Sequence, residues 1–334
     1  MQPTPLVSAV MIFLDARAFL AEAIESVLAQ QYTSWELWLV DDGSTDGSSE
    51  IARRYAAGHP DCIFYLEHPG HVNRGMSASR NLGLRHARGE FVALLDADDV
   101  WLPGKLSHQV EVLTAHPEVG FLYGNTLYWH SWTGRAEDGA RDFLPRLFSP
   151  GHPELSTDRV IRPPALVLGF LEGTAAVPTS CGLLVRRSVV QEVGGFEDEF
   201  RGMYEDQVFF CKLGLSSAAW VGAGHEERYR QHPRSSCSVA AGTGEIHAAR
   251  LVFLHWLADY LVRQDIDDAR LSAALRRNLW GYRRVLSLGL PPRPLRIVLL
   301  ARKWLLRLEK TLLPSPLRRR LWRRRIARPE RSRG

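Results

Sequence analysis

The sequence predicts an α/β fold in which a mostly parallel sheet is flanked by helices. Short apolar runs, typical of buried strands, alternate with segments of helical periodicity over the first 120 residues. Two of these runs end in acidic clusters: Asp41 and Asp42 follow one, and Asp96, Asp98 and Asp99 follow another. Ligands of open α/β sheets bind outside the carboxyl ends of the strands. Carboxylates at that edge suit a metal-bound diphosphate, so the pattern indicates a nucleotide-activated substrate.

The elements follow in chain order. Strands are predicted at residues 6–12, 36–40, 62–66, 91–95, 121–129 and 182–185. Helices are predicted at residues 17–30, around 51–56, at 76–88 with Gly89 as the terminating glycine, between Pro103 and Pro117, and before Gly194. Residues 131–164 are predicted to be rich in loops. Helical periodicity returns at residues 244–288 as a C-terminal helical extension.

The composition favours a folded, cytosolic protein. The chain has 334 residues, 45% hydrophobic and 24% charged, which is enough for a sizeable core. Its four cysteines show no paired or CxxC spacing, which favours reduced thiols over disulfides or a zinc site. We expect no signal peptide, because no basic region precedes the first strand. No apolar stretch is long enough to span a bilayer.

The charge is distributed unevenly. From Arg293 onward, 15 Lys and Arg face only Glu309 and Glu330, whereas the rest of the chain carries 27 basic and 35 acidic residues. The basic tail also contains Leu, Ile and Trp, which is typical of an interfacial amphipathic helix. We therefore predict that the tail binds an anionic membrane surface at the inner face of the cell membrane. A disordered basic end is the alternative, and no motif predicts nucleic-acid binding.

Five stretches, in this order and spacing, resemble family 2 glycosyltransferases of the GT-A fold. They are residues 7–10 with 23–31, residues 35–47 (WELWLVDDGSTDG), 77–83 (SASRNLG), 89–99 (GEFVALLDADD) and 194–210 (GGFEDEFRGMYEDQVFF). The resemblance implies a Rossmann-like, mostly parallel sheet and an inverting, metal-dependent sugar transfer from a nucleotide diphosphate sugar. It implies a GT-A domain over residues 1–240, with a nucleotide-sugar part at about 6–120 and an acceptor part at about 121–240. A helical extension (241–290) and the basic tail (291–334) follow.

One stretch departs from the family pattern. The Pro-x-Tyr-Asn that usually follows the first strand is here Ile12-Phe13-Leu14-Asp15. The family's small polar group near Ile12 is therefore absent, so the nucleobase of the donor must be held in a different way from that of the family pattern.

Asp96 and Asp98 are the predicted metal ligands. Residues i and i+2 of an extended chain project to the same side, so the two carboxylates meet where Mg²⁺ or Mn²⁺ needs oxygen ligands beside phosphate. The resemblance assigns Asp98 to the metal and places Asp96 nearer the ribose. It also places His232 near the metal or diphosphate, although a lone His is as often structural. Asp99 is either a supporting acid or a helix cap.

The resemblance assigns Asp41 and Asp42 to the nucleotide, with one carboxylate accepting from the imide N–H of the base. That donor exists in uracil and thymine, so UDP- or dTDP-sugars are favoured. Asp15 either caps a helix or lines the nucleotide site, and Asp46 is predicted to be a helix N-cap. Arg80 is expected to orient the acidic cluster or to touch diphosphate, the alternative being a solvated helix charge.

Asp206 is the predicted general base and Glu205 its supporting group, by resemblance to the family's Glu-Asp motif. Sugar transfer needs a group that removes the proton of the acceptor hydroxyl, and a carboxylate is the usual one. The alternative is that both acids only favour a helix dipole. His68, His71 and Arg74, in a Gly-rich loop, are predicted to be exposed loop residues.

Other classes of nucleotide-using enzyme match the sequence less well. A nucleotidyltransferase or dehydrogenase would need a glycine-rich phosphate loop after the first strand, and residues 12–18 contain no glycine. A non-catalytic nucleotide-sugar-binding or membrane-associated module on the same fold is the remaining alternative. The predicted partners are the donor, a glycan or lipid-linked acceptor, and the membrane. The predicted setting is bacterial surface polysaccharide or glycoconjugate synthesis.

Overall fold

The computed structural model describes residues 4–243 and 246–288. Within them, nine strands form one sheet: β1 Val7–Phe13, β2 Trp35–Asp41, β3 Ile63–Glu67, β4 Phe91–Asp96, β5 Val100–Trp101, β6 Val119–Trp129, β7 Val160–Ile161, β8 Leu184–Arg186 and β9 Ala218–Arg230. The helices are α1 Leu20–Leu28, α2 Ser48–Gly58, α3 Met76–His86, α4 Lys105–Ala115, α5 Ala136–Gly139, α6 Ala165–Glu172, α7 Arg187–Glu192, α8 Glu205–Ser216, α9 Ser236–Thr243, α10 Ile246–Arg263 and α11 Ala269–Leu288.

The strand order is β3-β2-β1-β4-β8-β6-β9-β5, and β7 pairs with β9. The first four strands are parallel. β8 is antiparallel to β4 and β6, whereas β9 is again parallel to β6. The prediction of a mostly parallel sheet flanked by helices is thus confirmed, and the carboxyl ends of β1, β2 and β4 lie at one edge.

Alternate residues of each strand enter two separate cores. On β1, Met11 and Phe13 pack with Leu20 and Ile24 of α1. Val10 and Ile12 belong to the second core, which the phenylalanines of α8 also enter. This alternation follows from the two-residue period of a strand, and burial on both faces explains why the strands read as continuous apolar runs.

The longest strand, β9, was not predicted. Its middle part carries glycines and charged residues rather than an apolar run, and three register shifts interrupt its pairing with β6. At the second shift, a Cβ on Gly124 would lie 2.7 Å from the carbonyl oxygen of Gly224. Only glycine permits that approach. The helix α6, which directly follows the region predicted to be rich in loops, was also missed.

The predicted role of Gly89 is wrong. α3 ends at His86, and Gly89 is not in the left-handed conformation of a terminating glycine. A Cβ at Gly89 would instead lie 2.5 Å from the carbonyl oxygen of Leu6 and 2.7 Å from the amide nitrogen of Ser8. The glycine is needed because β1 passes close to the backbone that leads into β4.

The chain up to Arg276 forms one compact unit, so α10 belongs with the sheet. Its buried aromatic residues contact the segment before α8, where the ring of Trp256 lies 6.0 Å from that of Phe200. The division after residue 240 stays a prediction, and the tail from residue 291 lies outside the described residues. In the described ranges, none of the helices combines the length and apolarity that crossing a bilayer requires.

Candidate active site

The acids that follow β4 differ in exposure. The side chains of Asp96 and Asp98 are 31% and 27% exposed, whereas Asp99 is buried. The Asp99 carboxylate accepts a hydrogen bond from the backbone N–H of Arg230 at 2.9 Å. Burial, and then the charges of Asp98 and Asp96, raise the pKa of Asp99 well above its ordinary value. Asp99 therefore holds the loop to β9, while Asp96 and Asp98 stay accessible.

Arg80 joins two acids from distant parts of the chain. Its guanidinium donates to Asp96 Oδ1 at 2.8 Å and to Glu205 Oε1 at 3.0 Å. The ring of Phe196 lies 5.3 Å below the guanidinium carbon. Arg80 is only 2% exposed, so the alternative of a solvated helix charge is wrong. Arg80 thus holds the carboxylates of Asp96 and Glu205 on either side of its guanidinium.

Glu205 and Asp206 lie at the beginning of α8. The preceding residue, Tyr204, has a φ of 76°, which turns the chain sharply into the helix. Asp206 Oδ1 accepts the N–H of Gln207. Burial, and then the charge of Glu205, raise the pKa of Asp206 to about 7, although Arg80 opposes the rise. A carboxyl group that titrates near neutral pH is well suited to general-base catalysis.

The end of β9 completes the site. His232 Nε2 lies 2.9 Å from Asp98 Oδ2. The buried Arg230 donates from Nε to the backbone carbonyl of Asp98 at 2.7 Å and from a terminal nitrogen to Glu22 at 2.6 Å. It thereby fixes the backbone on which the Asp98 carboxylate is carried.

Three aromatic rings surround the Arg230 guanidinium. Those of Phe19, Trp129 and Trp132 lie 4.7, 4.5 and 5.2 Å from its central carbon. Such contacts favour a planar cation. No role was predicted for Arg230 from the sequence. Its position two residues before His232 is the signal that could have pointed to it.

The three predicted metal ligands do not form one cluster. Asp98 and His232 are in contact, but Asp96 Oδ1 is drawn to Arg80. In the described part of the chain, no three His, Cys, Asp or Glu side chains are grouped to hold a metal. The donor set still fits Mg²⁺ or Mn²⁺. Such ions are commonly held by one or two protein ligands, with substrate phosphates and waters supplying the rest.

The Asp41 carboxylate is hydrogen-bonded to the loop that follows β2. Its carboxylate accepts from the N–H groups of Gly43 and Ser44 and from the hydroxyls of Ser49 and Tyr65. Burial alone would raise the pKa of Asp41, yet these hydrogen bonds hold it below its ordinary value. The carboxylate is fully buried and its acceptor sites are occupied. In this geometry, the predicted contact of Asp41 with the base is not available.

Asp42 holds the neighbouring Gly-rich loop. Its carboxylate accepts from the backbone N–H groups of Arg74 and Gly75 and lies 3.8 Å from the ring of His68. His68 is buried, so the prediction that it is an exposed loop residue is wrong. His71 bonds the carbonyl oxygen of Ser44 and ties the same two loops together. Asp42 is itself buried, so it too shapes the wall of the site rather than projecting into it.

Asp15 and Asp46 link the loop after β1 to the loop after β2. Asp15 Oδ1 accepts the N–H of Thr45, and α1 has no side-chain cap, so the helix-cap alternative for Asp15 is wrong. Asp46 accepts the N–H of Ser48, but the N-cap position of α2 is occupied by Gly47. The prediction for Asp46 is therefore wrong by one residue.

Comparison with known proteins agrees with this arrangement. The model of the family "Glycosyl transferase family 2" matches residues 8–194, more than half of the chain. EpsE of Bacillus subtilis, named as a glycosyltransferase, is 38% identical over 151 residues, which cover 45% of this chain and 52% of EpsE. The UDP-Glc:alpha-D-GlcNAc-diphosphoundecaprenol beta-1,3-glucosyltransferase WfgD of Escherichia coli is 32% identical over 120 residues, covering 36% of this chain and 45% of WfgD.

The aligned part thus spans about half the length of these two relatives. Among solved structures, Staphylococcus aureus TarS (residues 1–349) in complex with UDP-GlcNAc aligns with a TM-score of 0.63 and 17% identity. The alignment covers 88% of this chain and 79% of TarS, and at that identity it shows a shared fold. The family match, the ordered motifs and the sheet that brings them together lead to one conclusion: the chain belongs to glycosyltransferase family 2.

Proposed function

We propose that this chain is an inverting glycosyltransferase that moves a sugar from a nucleoside diphosphate sugar to an acceptor hydroxyl. The observation that carries the proposal is the bridge made by Arg80. It joins Asp96, at the end of β4, to Glu205, beside the candidate base Asp206. The bridge fixes the spacing between Asp96, which is expected to lie at the donor, and the Glu205-Asp206 pair, which is expected to act on the acceptor.

In the proposed reaction, the Asp206 carboxylate takes the proton of the acceptor hydroxyl. The hydroxyl oxygen forms a bond to the anomeric carbon as the bond from that carbon to the diphosphate oxygen breaks. The nucleoside diphosphate leaves with the bonding electrons, and one displacement inverts the configuration. The raised pKa of Asp206 matches this task, because a base that titrates near neutral pH is both available and strong enough. Glu205, the neighbour of Asp206 in the chain, is held in place by Arg80.

A divalent cation, Mg²⁺ or Mn²⁺, is the proposed cofactor. Asp98 would hold it, with His232 in reach and Asp96 on the ribose side. When bound, the ion neutralises charge on the departing diphosphate. Arg230 fixes the Asp98 backbone before any ion arrives.

A UDP-sugar is the donor we propose, with a dTDP-sugar as the second candidate. WfgD, by its name, uses UDP-glucose, and its matched stretch supports a related donor here. Because Asp41 and Asp42 are buried, we assign them the shaping of the nucleotide pocket. Asp15 lies at its rim, where its carboxylate is already bonded to Thr45.

The acceptor we propose is a glycan or lipid-linked glycan of a bacterial surface polysaccharide or glycoconjugate. The acceptor in the name of WfgD is of the lipid-linked type. The basic, Leu-rich tail from residue 291 would hold the enzyme at the inner face of the membrane, where such acceptors lie. Each basic residue near an anionic surface adds about 1 kcal/mol.

A thermal-shift panel tests the donor proposal. UDP, dTDP, GDP and CDP, free and as sugar conjugates, are added with and without Mn²⁺. UDP-type ligands with Mn²⁺ should raise the melting temperature most, since binding to the folded state stabilises it. If no nucleotide stabilises the protein at any Mn²⁺ concentration, the proposed function is wrong.

Vesicle co-sedimentation tests the tail. The full-length protein should pellet with anionic liposomes at low salt and be released at high salt, because screening shortens the reach of the charges. A chain truncated after Leu290 should stay in the supernatant. Equal binding by both forms, or by neither, would remove the tail from the proposal.

A further inference from the structure

Three aromatic rings form a row between β6, β9 and the loop that follows β6. Tyr128 and Tyr229 are paired in register across the two strands. Phe143 pairs with Tyr128 on the other edge of β6, where each N–H donates to the other residue's carbonyl oxygen. The rings of Phe143 and Tyr128 stack at 4.6 Å and 24°, and Tyr229 meets Tyr128 edge-on at 5.1 Å.

One end of this aromatic row lies beside the reacting groups. Tyr229 directly precedes Arg230, whose backbone and side chain hold Asp99 and Asp98. Burial raises the pKa of Tyr128 first of all, and nearby negative groups, including Asp206, add to the rise.

The other end of the row is open. Phe143 is 49% exposed and Leu144 is 45% exposed. Leu144 also lines a cavity of about 740 Å³, formed mainly by residues 144–157 together with Asn125 and Ala223. That volume is in the range of small-molecule sites. The lining mixes prolines and leucines with polar side chains such as Arg146, His152 and Thr157.

We propose that the aromatic row and this cavity bind the saccharide chain of the acceptor. The inference rests on the proposed function and names the part of the acceptor that this chain recognises. A pyranose has an apolar C–H face that lies flat on an aromatic ring, whose face is electron-rich, while its hydroxyls bond polar groups at the edge. The sugar with the attacking hydroxyl lies toward Asp206, and a sugar farther along the chain stacks on Phe143.

The chemistry of the cavity wall favours a saccharide over a lipid chain. A polyprenyl tail would be matched by a continuous apolar groove, because polar groups that lose water without gaining a hydrogen bond oppose binding. The cavity instead offers hydroxyl, amide, imidazole and guanidinium groups along its wall. A saccharide can satisfy those groups, and therefore the acceptor should be recognised through its glycan.

The test compares acceptor length in wild type and Phe143 variants. An array of bacterial surface oligosaccharides and their component monosaccharides is presented with the UDP-sugar and Mn²⁺. Sugar transfer to each compound is measured, and saturation-transfer NMR reports which saccharides bind. Hydrolysis of the donor by water is followed in parallel. For wild type, we expect an oligosaccharide KM roughly tenfold below that of its monosaccharide, equivalent to one well-formed aromatic contact. Phe143→Ala should remove that advantage and leave donor hydrolysis unchanged.

Phe143→Leu and Val252→Ala complete the design. Leu keeps an apolar group without a ring face, so it should behave like Ala. Val252 is an exposed apolar residue on α10, and its truncation should change nothing. The inference is overturned if Phe143→Ala keeps the preference for the oligosaccharide. It is also overturned if Phe143→Leu keeps the wild-type preference, as a lipid contact would allow, or if wild type hydrolyses the donor but binds no saccharide. Absence of both donor binding and donor hydrolysis would instead overturn the proposed function, and the inference with it.

Discussion

The two halves of the sheet hold their functional groups in different ways. In the first half, up to Asp99, the acids Asp41, Asp42 and Asp15 are bonded to backbone N–H groups of neighbouring loops. In the second half, from β6 onward, Glu205 and Arg230 are held by side chains of remote elements. Arg80 binds Glu205, and three aromatic rings surround Arg230. We propose that the first half forms the wall of the donor pocket and carries the candidate metal ligands Asp96 and Asp98. The second half supplies the candidate base and groups that support these acids.

This difference has an energetic consequence. The hydrogen bonds that hold these carboxylates come from backbone N–H groups, which every substitution except proline leaves in place. A guanidinium or carboxylate held by distant side chains depends on every partner, and loss of one leaves a buried charge unpaired. Substitutions of groups held by distant side chains, such as Arg80 and Arg230, should therefore disturb the reaction through positioning, whereas substitutions of Asp41 or Asp42 should act on donor binding.

The largest effect is expected for Asp98→Asn. Removing one charge from the cation site should abolish measurable transfer and weaken diphosphate binding, because metal ions supply several kcal/mol of charge stabilisation in the transition state. Asp61→Asn, which removes an exposed acid before β3, is the control. Undiminished turnover of Asp98→Asn, or of wild type in excess EDTA, would contradict the metal assignment.

Arg80→Met should affect stability and activity together. It leaves Asp96 and Glu205 without their shared cation, and breaking a buried ion pair costs about 3–5 kcal/mol. Denaturant unfolding should show the loss, and Arg80→Met combined with Glu205→Gln should recover part of it. Arg85→Met, at an exposed position of the same helix, is the matched control. A stable, active Arg80→Met would show that the bridge does not link the two halves.

Arg230→Lys tests whether the support of Asp98 needs a planar cation. Lysine keeps the charge but loses the stacking and the donor to the Asp98 carbonyl. Since changes in groups that orient metal ligands cost about 10–100-fold in metal affinity, more Mn²⁺ should be needed for half-maximal transfer. Arg234→Lys, an exposed neighbour, should behave as wild type. An unchanged Mn²⁺ requirement in Arg230→Lys would show that charge alone suffices.

The smallest effect is expected for Arg250→Met on α10. Arg250 donates to Gln207 at 2.9 Å, and its guanidinium lies 5.4 Å from the ring of Tyr204, so it supports the turn that carries Glu205 and Asp206. Loss of about 1 kcal/mol of such support would lower kcat about fivefold and leave the donor KM unchanged. Arg263→Met on the same helix is the control. A change in donor KM with unchanged kcat would contradict this positioning role.

The difference between the two halves of the sheet also explains which site residues could be predicted from the sequence. Asp41, Asp96 and their strands could be placed because apolar runs and the acids behind them are local signals, and strand ends converge in a parallel sheet. Arg230 and Tyr128 could not, because their partners are decided by the pairing of β6 with β9. The charged middle of β9 hides that strand from any periodicity. Asp41 and Asp42 were located but their burial was not foreseen, since it depends on the fold of the loops around residues 43–49 and 68–75.

The stability of the protein should also report on Asp206. Its pKa is raised in the folded state, so the folded protein holds this proton more tightly than the unfolded chain does. Its contribution to stability is therefore greatest below its ordinary pKa and is lost as the pH rises to about 7. Asparagine carries no proton to lose, so Asp206→Asn should be at least as stable as wild type above pH 7.

The central claim is that Asp206 is the general base, and the pH dependence of kcat tests it most directly. With saturating donor, wild-type kcat should fall as the pH drops through about 7, because the carboxyl group becomes protonated. Asp206→Asn should keep UDP binding, lose that dependence and turn over about a hundred- to ten-thousand-fold more slowly. If the variant turns over near the wild-type rate, or keeps the same acidic limb, Asp206 is structural and the account is wrong.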